Sequence, residues 1–161
     1  MATIRTISGK IVDLQNPAPE SIDIEDIAHA LSNICRFVGH LHYHYSVAEH
    51  SVHVSRLIEG SLGNKDTIMA GLLHDASEAY LGDMSTPLKT ILPDYKKLEN
   101  KWSDIIYAKY NLINIDHVKL KKADKLMLSI EENKYQLNKN SGLSEKKAKQ
   151  LFLERYYELR I

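Results

Sequence analysis

The stretch Gly71-Leu-Leu-His-Asp-Ala-Ser-Glu-Ala-Tyr80 places an imidazole and a carboxylate, His74 and Asp75, side by side in a strongly apolar segment. The pattern predicts a helix from about Asp66 to Tyr80 that is apolar almost all round, as is typical of a helix at the centre of a domain. Burying such a polar pair is costly unless something binds it. A divalent cation is the natural candidate.

A second histidine strengthens that interpretation. His50 lies in Ser46-Val-Ala-Glu-His-Ser51, on a helix predicted from about Val47 to Glu59. Neighbouring helical residues point about 100° apart, so His74 and Asp75 can share an ion only at the edge between their two faces. His50 would then approach from the other side. The alternative is that His74 fills a packing position while Asp75 pairs with a nearby Arg or Lys.

A fourth ligand would have to come from a distant helix. The downstream carboxylates are Asp94, Asp104, Asp116 and Asp124, and composition alone does not choose among them. Asp124 has apolar neighbours in Leu120-Lys-Lys-Ala-Asp-Lys-Leu-Met-Leu128 and is the one expected to face inward.

Two further acids suit proton transfer. Glu78 lies four residues after His74 and three after Asp75, on the same helical stripe, where it could orient or deprotonate an attacking water. Asp83 follows Gly82 in a predicted turn. It is interpreted either as a second acid or base or as an ordinary turn aspartate.

Composition narrows the function classes. The 161 residues suit one domain, and 21 basic side chains balance 21 acidic ones, which disfavours bulk nucleic acid as a partner. The single cysteine, Cys35, cannot form an internal disulfide, and no window approaches the roughly 20 apolar residues of a membrane span. A cytoplasmic location is expected.

Most of the chain has helical periodicity. The prediction is an all-α bundle with a short N-terminal β-hairpin, forming a single domain over residues 1–161. Its parts are a hairpin at about 3–14, a helical core at about 24–137 and a C-terminal helix at about 144–159. Further helices are predicted at about 24–35, 94–110 and 116–137, a capped start at Ser85-Thr-Pro87, and a turn at Asn138-Lys-Asn-Ser-Gly142.

The ordered set His50…His74-Asp75…Asp124 resembles the H…HD…D signature of HD-domain phosphohydrolases. The chain is most similar to small nucleotide-cleaving members, the phage dATP triphosphohydrolases and the bacterial 5'-deoxynucleotidases. The resemblance is carried by three stretches: Cys35-Arg-Phe37, Tyr45-Ser-Val-Ala-Glu-His-Ser51 and Leu73-His-Asp-Ala-Ser-Glu-Ala-Tyr-Leu-Gly-Asp-Met-Ser-Thr-Pro-Leu-Lys89.

The resemblance implies a role for each matching residue. The metal ligands would be His50, His74, Asp75 and Asp124. The catalytic pair would be Glu78 and Asp83. The substrate would be contacted by Arg36, Phe37 and Lys89, with Phe37 standing where relatives carry a tryptophan. The bound divalent ion would be Mn, Co, Zn, Fe, Ni or Mg.

The implied activity is that of a dNTP (dATP-type) triphosphohydrolase releasing deoxynucleoside and tripolyphosphate. Alternatives are a 5'-deoxynucleotidase acting on monophosphates and a non-catalytic nucleotide-binding sensor. A homo-oligomer is expected, as in related enzymes. The run containing His40, His42 and His44 is interpreted as a substrate-lining segment rather than a second metal site.

Overall fold

In a computed structural model that describes residues 2–136 and 142–161, the chain is mostly helical, with a short antiparallel hairpin near its N-terminus. The predicted fold class is therefore confirmed. The strands are β1 (Thr3–Arg5) and β2 (Ile11–Asp13). The helices are α1 (Ile24–Asn33), α2 (Val47–Gly60), α3 (Lys65–Leu73), α4 (Glu78–Leu81), α5 (Thr86–Ile91), α6 (Pro93–Lys109), α7 (His117–Gln136) and α8 (Glu145–Arg160).

The hairpin closes one side of the helical core. Ile4 pairs with Val12 in the antiparallel register, and the turn between the strands contains Gly9 at a φ of 88°. That left-handed conformation favours glycine because it has no Cβ. Val12 is fully buried, and the Trp102 indole donates a 3.0 Å hydrogen bond to the carbonyl of Leu14, which ties the hairpin to α6.

Helix α1 ends at Asn33, earlier than the predicted Cys35. Beyond it, Cys35 forms an isolated antiparallel bridge with Ser46, and the Arg36 amide donates to the Tyr45 carbonyl at 2.8 Å. These extended pairings use backbone groups that a longer helix would need. They hold Arg36 close to the start of α2.

The predicted continuous helix from Asp66 to Tyr80 is wrong in its middle. Helix α3 stops at Leu73, four residues of turn follow, and α4 begins at Glu78. In this turn the Ala76 amide donates to the Leu73 carbonyl, and the Glu78 amide to the Asp75 carbonyl, so the spacing is three residues. Apolar periodicity does not distinguish such a tightened turn from regular α-helix over so short a length.

Two smaller predictions about helix ends have different outcomes. Gly82 ends α4, as expected, at a φ of 81°. The Ser85 hydroxyl does not cap α5, although Pro87 does lie in its first turn. The predicted turn at 138–142 falls mostly on residues 137–141, which lie outside the described part of the chain.

Helix α2 lies at the centre and packs against α1, α3, α7 and α8. On α7, the buried side chains of Leu120, Ala123 and Met127 recur at intervals of three and four residues. They join the cluster formed by Val54, Ile58 and Ala70 of α2 and α3. This packing holds Asp124 against the side of α2 that carries His50. None of the described helices is both long and apolar enough to cross a membrane.

Candidate metal centre

Three helical segments bring His50, His74 and Asp124 together. One ligand atom from each lies within 4.8 Å of the others. Asp124 Oδ1 is 3.2 Å from His50 Nε2 and 3.6 Å from His74 Nε2. Of the four downstream aspartates considered from the sequence, Asp124 is thus the one that reaches the histidines.

Asp75 completes the group of predicted ligands. Its Oδ2 is 3.2 Å from His74 Nε2 and 3.8 Å from His50 Nε2. The two imidazole rings are tilted by 53°, with centroids 5.3 Å apart. Asp75 thus lies beside the group of His50, His74 and Asp124, whose ligand atoms are the ones within 4.8 Å of one another. Its role as a fourth ligand stays a prediction.

Each imidazole is oriented through its other nitrogen. His50 Nδ1 is 2.6 Å from Glu131 Oε1, and His74 Nδ1 is 2.8 Å from the carbonyl oxygen of Gly71. A proton on each Nδ1 leaves the Nε2 lone pair pointing at the shared volume. Both Nε2 atoms are buried, and neither has a hydrogen-bond partner among the described residues. Such an arrangement is typical of metal-binding histidines.

The charges in this group favour a cation. Burial disfavours the charged form of His74, but Asp75 and Asp124 outweigh it and raise the pKa of the imidazole well above its usual value. Burial also disfavours ionised carboxylates, yet His74 and His50 hold the pKa values of Asp75 and Asp124 well below their usual range. Ionised carboxylates and a positive partner therefore stabilise one another here. Without an ion that partner is the protonated His74, and a bound cation would displace the proton on its Nε2.

Glu78 lies beside this group in a poorly solvated position. Its Oε2 is buried and lacks a hydrogen-bond partner in the described part of the chain. Burial, followed by the charges of Asp75 and Asp83, raises the pKa of Glu78 to about 10. Burial and Asp75 also raise the pKa of Asp83. A carboxyl that keeps its proton near neutral pH is suited to proton transfer.

A cleft of about 470 Å³ opens over these residues. It collects residues that the sequence analysis placed in three separate roles. The predicted site residues in its lining are Arg36, Phe37, Asp75, Glu78, Asp83, Lys89 and Asp124. The predicted substrate contacts and acids thus share one cleft with the two aspartates among the predicted metal ligands.

Arg36, a predicted substrate contact, is held by a buried carboxylate. Its Nε and Nη2 both donate to Glu131 Oε2, at 3.1 and 2.9 Å, and its Nη1 is 3.8 Å from Asp75 Oδ2. Two of the guanidinium nitrogens thus face the buried carboxylate of Glu131. Glu131 was not among the predicted site residues, although it lies seven residues after Asp124, two turns along the same face of α7.

Lys89 is also bound by an acid that the sequence analysis missed. Its Nζ is 2.5 Å from Glu99 Oε1 and 3.5 Å from Glu78 Oε1. Burial disfavours the ammonium charge, but the Glu99 hydrogen bond and the charge of Glu78 outweigh it and raise the pKa of Lys89. Helix α6 carries acidic and basic residues mixed along its length, and this pattern does not predict that Glu99 is buried.

Phe37 lies at the rim of the cleft in an unusual backbone conformation. Phe37 and Val38 have φ values of 55° and 53°, and the Arg36 guanidinium carbon lies 5.6 Å from the centre of the Phe37 ring. Left-handed conformations are costly for non-glycine residues, above all for β-branched ones. Such strain is concentrated at functional sites.

The three closely spaced histidines do not line the described cleft. His44 has a packing role, since its Nδ1 is 3.0 Å from the Cys35 sulfur and its Nε2 is 3.0 Å from the carbonyl oxygen of Ser32. In the described ranges, His40 and His42 belong to no cluster of potential metal ligands. The interpretation of this run as substrate-lining stays a prediction.

Fold and site together define a class: a helical protein in which two histidines and two aspartates meet beneath a cleft. No family model matches the chain. It is 42% identical over 141 residues to the uncharacterized protein YfdR of Escherichia coli, across 88% of this chain and 76% of that protein. It is 34% identical over 154 residues to the uncharacterized protein RCAP_rcc00048 of Rhodobacter capsulatus, across 92% and 78% of the two chains. The chain belongs to the same family as YfdR.

Proposed function

We propose that the protein is a divalent-metal-dependent phosphohydrolase of deoxynucleotides with an HD-type site. One observation carries the proposal: the Nε2 atoms of His50 and His74 are buried, have no hydrogen-bond partner within the described part of the chain, and face Asp75 and Asp124. Nitrogens left in this state are costly unless a ligand satisfies them. The nucleotide substrate itself comes from the resemblance of the quoted motifs to HD-domain enzymes.

The residues fit the implied ion. Two imidazoles and two carboxylates suit Mn, Fe, Co, Ni or Zn better than Mg, which prefers oxygen ligands. An ion bound there would supply a Lewis acid for a phosphoryl oxygen and would lower the pKa of a bound water. The ligands would be His50, His74, Asp75 and Asp124.

The chain's own side chains would handle protons and orientation. Glu78, whose pKa burial raises to about 10, would exchange a proton with the attacking water or the leaving oxygen. Asp83 lines the same cleft and would share that role. Arg36 and Lys89, each fixed by a carboxylate, would hold the substrate phosphate in place for in-line attack.

The charge of the cleft bears on the choice of substrate. The described lining holds two basic side chains, Arg36 and Lys89. It also holds five acids: Asp75, Glu78, Asp83, Asp124 and Glu132. A triphosphate carries more negative charge than a monophosphate, and the described lining offers these two cations beside the proposed ion. The charge balance therefore favours a deoxynucleoside monophosphate, making the 5'-nucleotidase the better-supported activity and the triphosphohydrolase the second candidate.

The test is product analysis with dAMP, dATP and dGTP in parallel, with Mn²⁺ or Co²⁺ supplied. Inorganic phosphate from dAMP is expected; tripolyphosphate from the triphosphates would instead favour the second candidate. Asp75→Asn should remove activity, whereas Asp104→Asn, an exposed aspartate on α6, should not. Metal binding without any product would favour the nucleotide sensor. Homo-oligomer formation and a cytoplasmic location stay predictions.

A further inference from the structure

The carboxylate of Glu131 connects a candidate metal ligand to a residue of the cleft. Its Oε1 lies 2.6 Å from His50 Nδ1 and accepts a hydrogen bond from the Tyr45 hydroxyl at 2.8 Å. Its Oε2 accepts from Arg36 Nε and Nη2 at 3.1 and 2.9 Å. Glu131 is only 5% exposed, so these donors rather than water stabilise its charge.

The contact with Glu131 determines which nitrogen of His50 can bind an ion. An ionised carboxylate only accepts hydrogen bonds, so the proton of a neutral His50 must be on Nδ1. The lone pair is then on Nε2, which lies 3.2 Å from Asp124 Oδ1 and 3.8 Å from Asp75 Oδ2. His50 is fully buried, so its ring has little freedom to find another partner.

Glu131 also holds the arginine at the cleft. With Nε and Nη2 of Arg36 fixed on Oε2, Nη1 is the nitrogen on the Asp75 side, at 3.8 Å. A displacement of the Glu131 carboxylate would therefore move a metal-facing imidazole and a cleft-facing guanidinium together. No other described carboxylate contacts both residues through hydrogen bonds.

We infer that Glu131 is a positioning residue that fixes the tautomer of His50 and the orientation of Arg36 with one carboxylate. It acts through His50 and Arg36 and does not itself contact the reacting atoms. The inference rests on the proposed metal centre, because the orientation of His50 matters for function only if Nε2 binds an ion. Carboxylates that orient metal-binding histidines typically raise metal affinity by about 10- to 100-fold.

The test compares Glu131→Gln with the wild type in two measurements. Nitrogen-15 NMR of the metal-free proteins reports the tautomer of His50, and titration with Mn²⁺ reports affinity without any substrate. In the wild type His50 should be protonated on Nδ1. Glu131→Gln should give a mixture of tautomers and Mn²⁺ binding weaker by about 10- to 100-fold. The control Glu154→Gln removes a charge from an exposed position on α8 and should match the wild type.

The possible failures are distinguishable. If the wild type binds no divalent metal ion, the proposed function fails and the inference fails with it. If the wild type binds Mn²⁺ and Glu131→Gln binds it equally well with an unchanged tautomer, only the inference fails. A purely structural role would lower stability without changing the tautomer. Should Glu131→Gln not fold, Glu131→Asp draws the carboxylate back from His50 and Arg36 by one methylene, and an unchanged His50 signal and Mn²⁺ affinity there would equally overturn the inference.

Discussion

Tyr80 stacks on Trp102, with ring centroids 4.3 Å apart and planes inclined by 21°. The Tyr80 hydroxyl also accepts a 3.3 Å hydrogen bond from the Asp23 amide at the start of α1. Helix α4 is thereby fixed to both α6 and α1. Since α4 also carries Glu78, the stacked pair helps to position a predicted catalytic acid.

Replacing Trp102 should destabilise the whole protein. The side chain is fully buried, and Trp102→Ala removes both the stacking on Tyr80 and the hydrogen bond to the Leu14 carbonyl. The expected loss is about 3–5 kcal/mol in the free energy of unfolding. Urea denaturation followed by circular dichroism measures it. Tyr157→Ala, at a side chain that is 52% exposed, is the control and should cost far less.

Removing Asp124 should separate metal binding from folding. Asp124→Ala deletes the carboxylate nearest to His50 Nε2, and the side chain is 42% exposed, so little packing is lost. We expect bound metal and turnover to fall below detection while the far-ultraviolet circular dichroism spectrum stays that of the wild type. Elemental analysis after dialysis against Mn²⁺ gives the metal content. Asp104→Ala is the matched control, and equal metal content in both variants would contradict the proposed ligand set.

The substitution Glu78→Gln should leave metal binding intact and slow the reaction. The substitution keeps the size of the side chain but leaves no carboxyl to transfer a proton. A fall in kcat of about 10²- to 10⁴-fold is expected, with little change in Mn²⁺ affinity. Steady-state kinetics with dAMP, alongside Mn²⁺ titration, measures both. Undiminished turnover would show that another group serves the attacking water.

Gly71→Ala should disturb the site through the core. A Cβ on Gly71 would lie 2.5 Å from the end of the Ile58 side chain and 3.1 Å from the Ser55 Cα, so Ile58 would have to turn away and α2 and α3 would have to shift slightly apart. Those helices carry His50 and the residues leading to His74, and we expect weaker Mn²⁺ binding as well as a loss of about 1–3 kcal/mol in stability. Gly60→Ala is the control, since a Cβ there would meet no described atom within 4 Å.

The ion pair between Asp23 and Lys10 should make the stability of the protein depend on pH. The Lys10 ammonium lies 2.8 Å from the Asp23 carboxylate, and this hydrogen bond lowers the pKa of Asp23 below the usual 3.8. Because the folded state favours the ionised form, the stabilisation is present above the unfolded pKa and is lost as the pH falls through the lowered folded pKa. Both side chains are partly exposed, so less than about 1 kcal/mol is expected.

The measurement for Asp23 is a comparison of urea unfolding in the wild type and Asp23→Asn at several pH values. Asparagine caps a helix as well as aspartate does, so the variant isolates the charge. The wild type should be the more stable protein at neutral pH, and the difference should disappear in acid below the folded pKa. A difference that does not change with pH would refute the assignment to the Lys10 pair.

The sequence predicts those site residues whose position depends on the pattern of apolar residues around them. Asp124 could be selected because its neighbours on α7 have apolar periodicity, which fixes the buried face of the helix. The turn after Leu73 could not be predicted, because a tightened turn, with backbone hydrogen bonds three residues apart, and an α-helix, with bonds four residues apart, accept the same apolar side chains. Glu131 and Glu99 were missed because their burial depends on partners 95 and 10 residues away, Arg36 and Lys89. A charged residue on a helix gives no local sign that a distant cation will enclose it.

The four clustered side chains come from segments far apart in the chain, with His50 on α2, His74 and Asp75 after α3, and Asp124 on α7. An unfolded chain holds no such cluster, so an ion that binds these residues binds the folded state alone. Ligand and fold are then thermodynamically linked: each tenfold rise in free ion above its dissociation constant adds about 1.4 kcal/mol to stability. The melting temperature of this protein would then depend on the ion concentration around it.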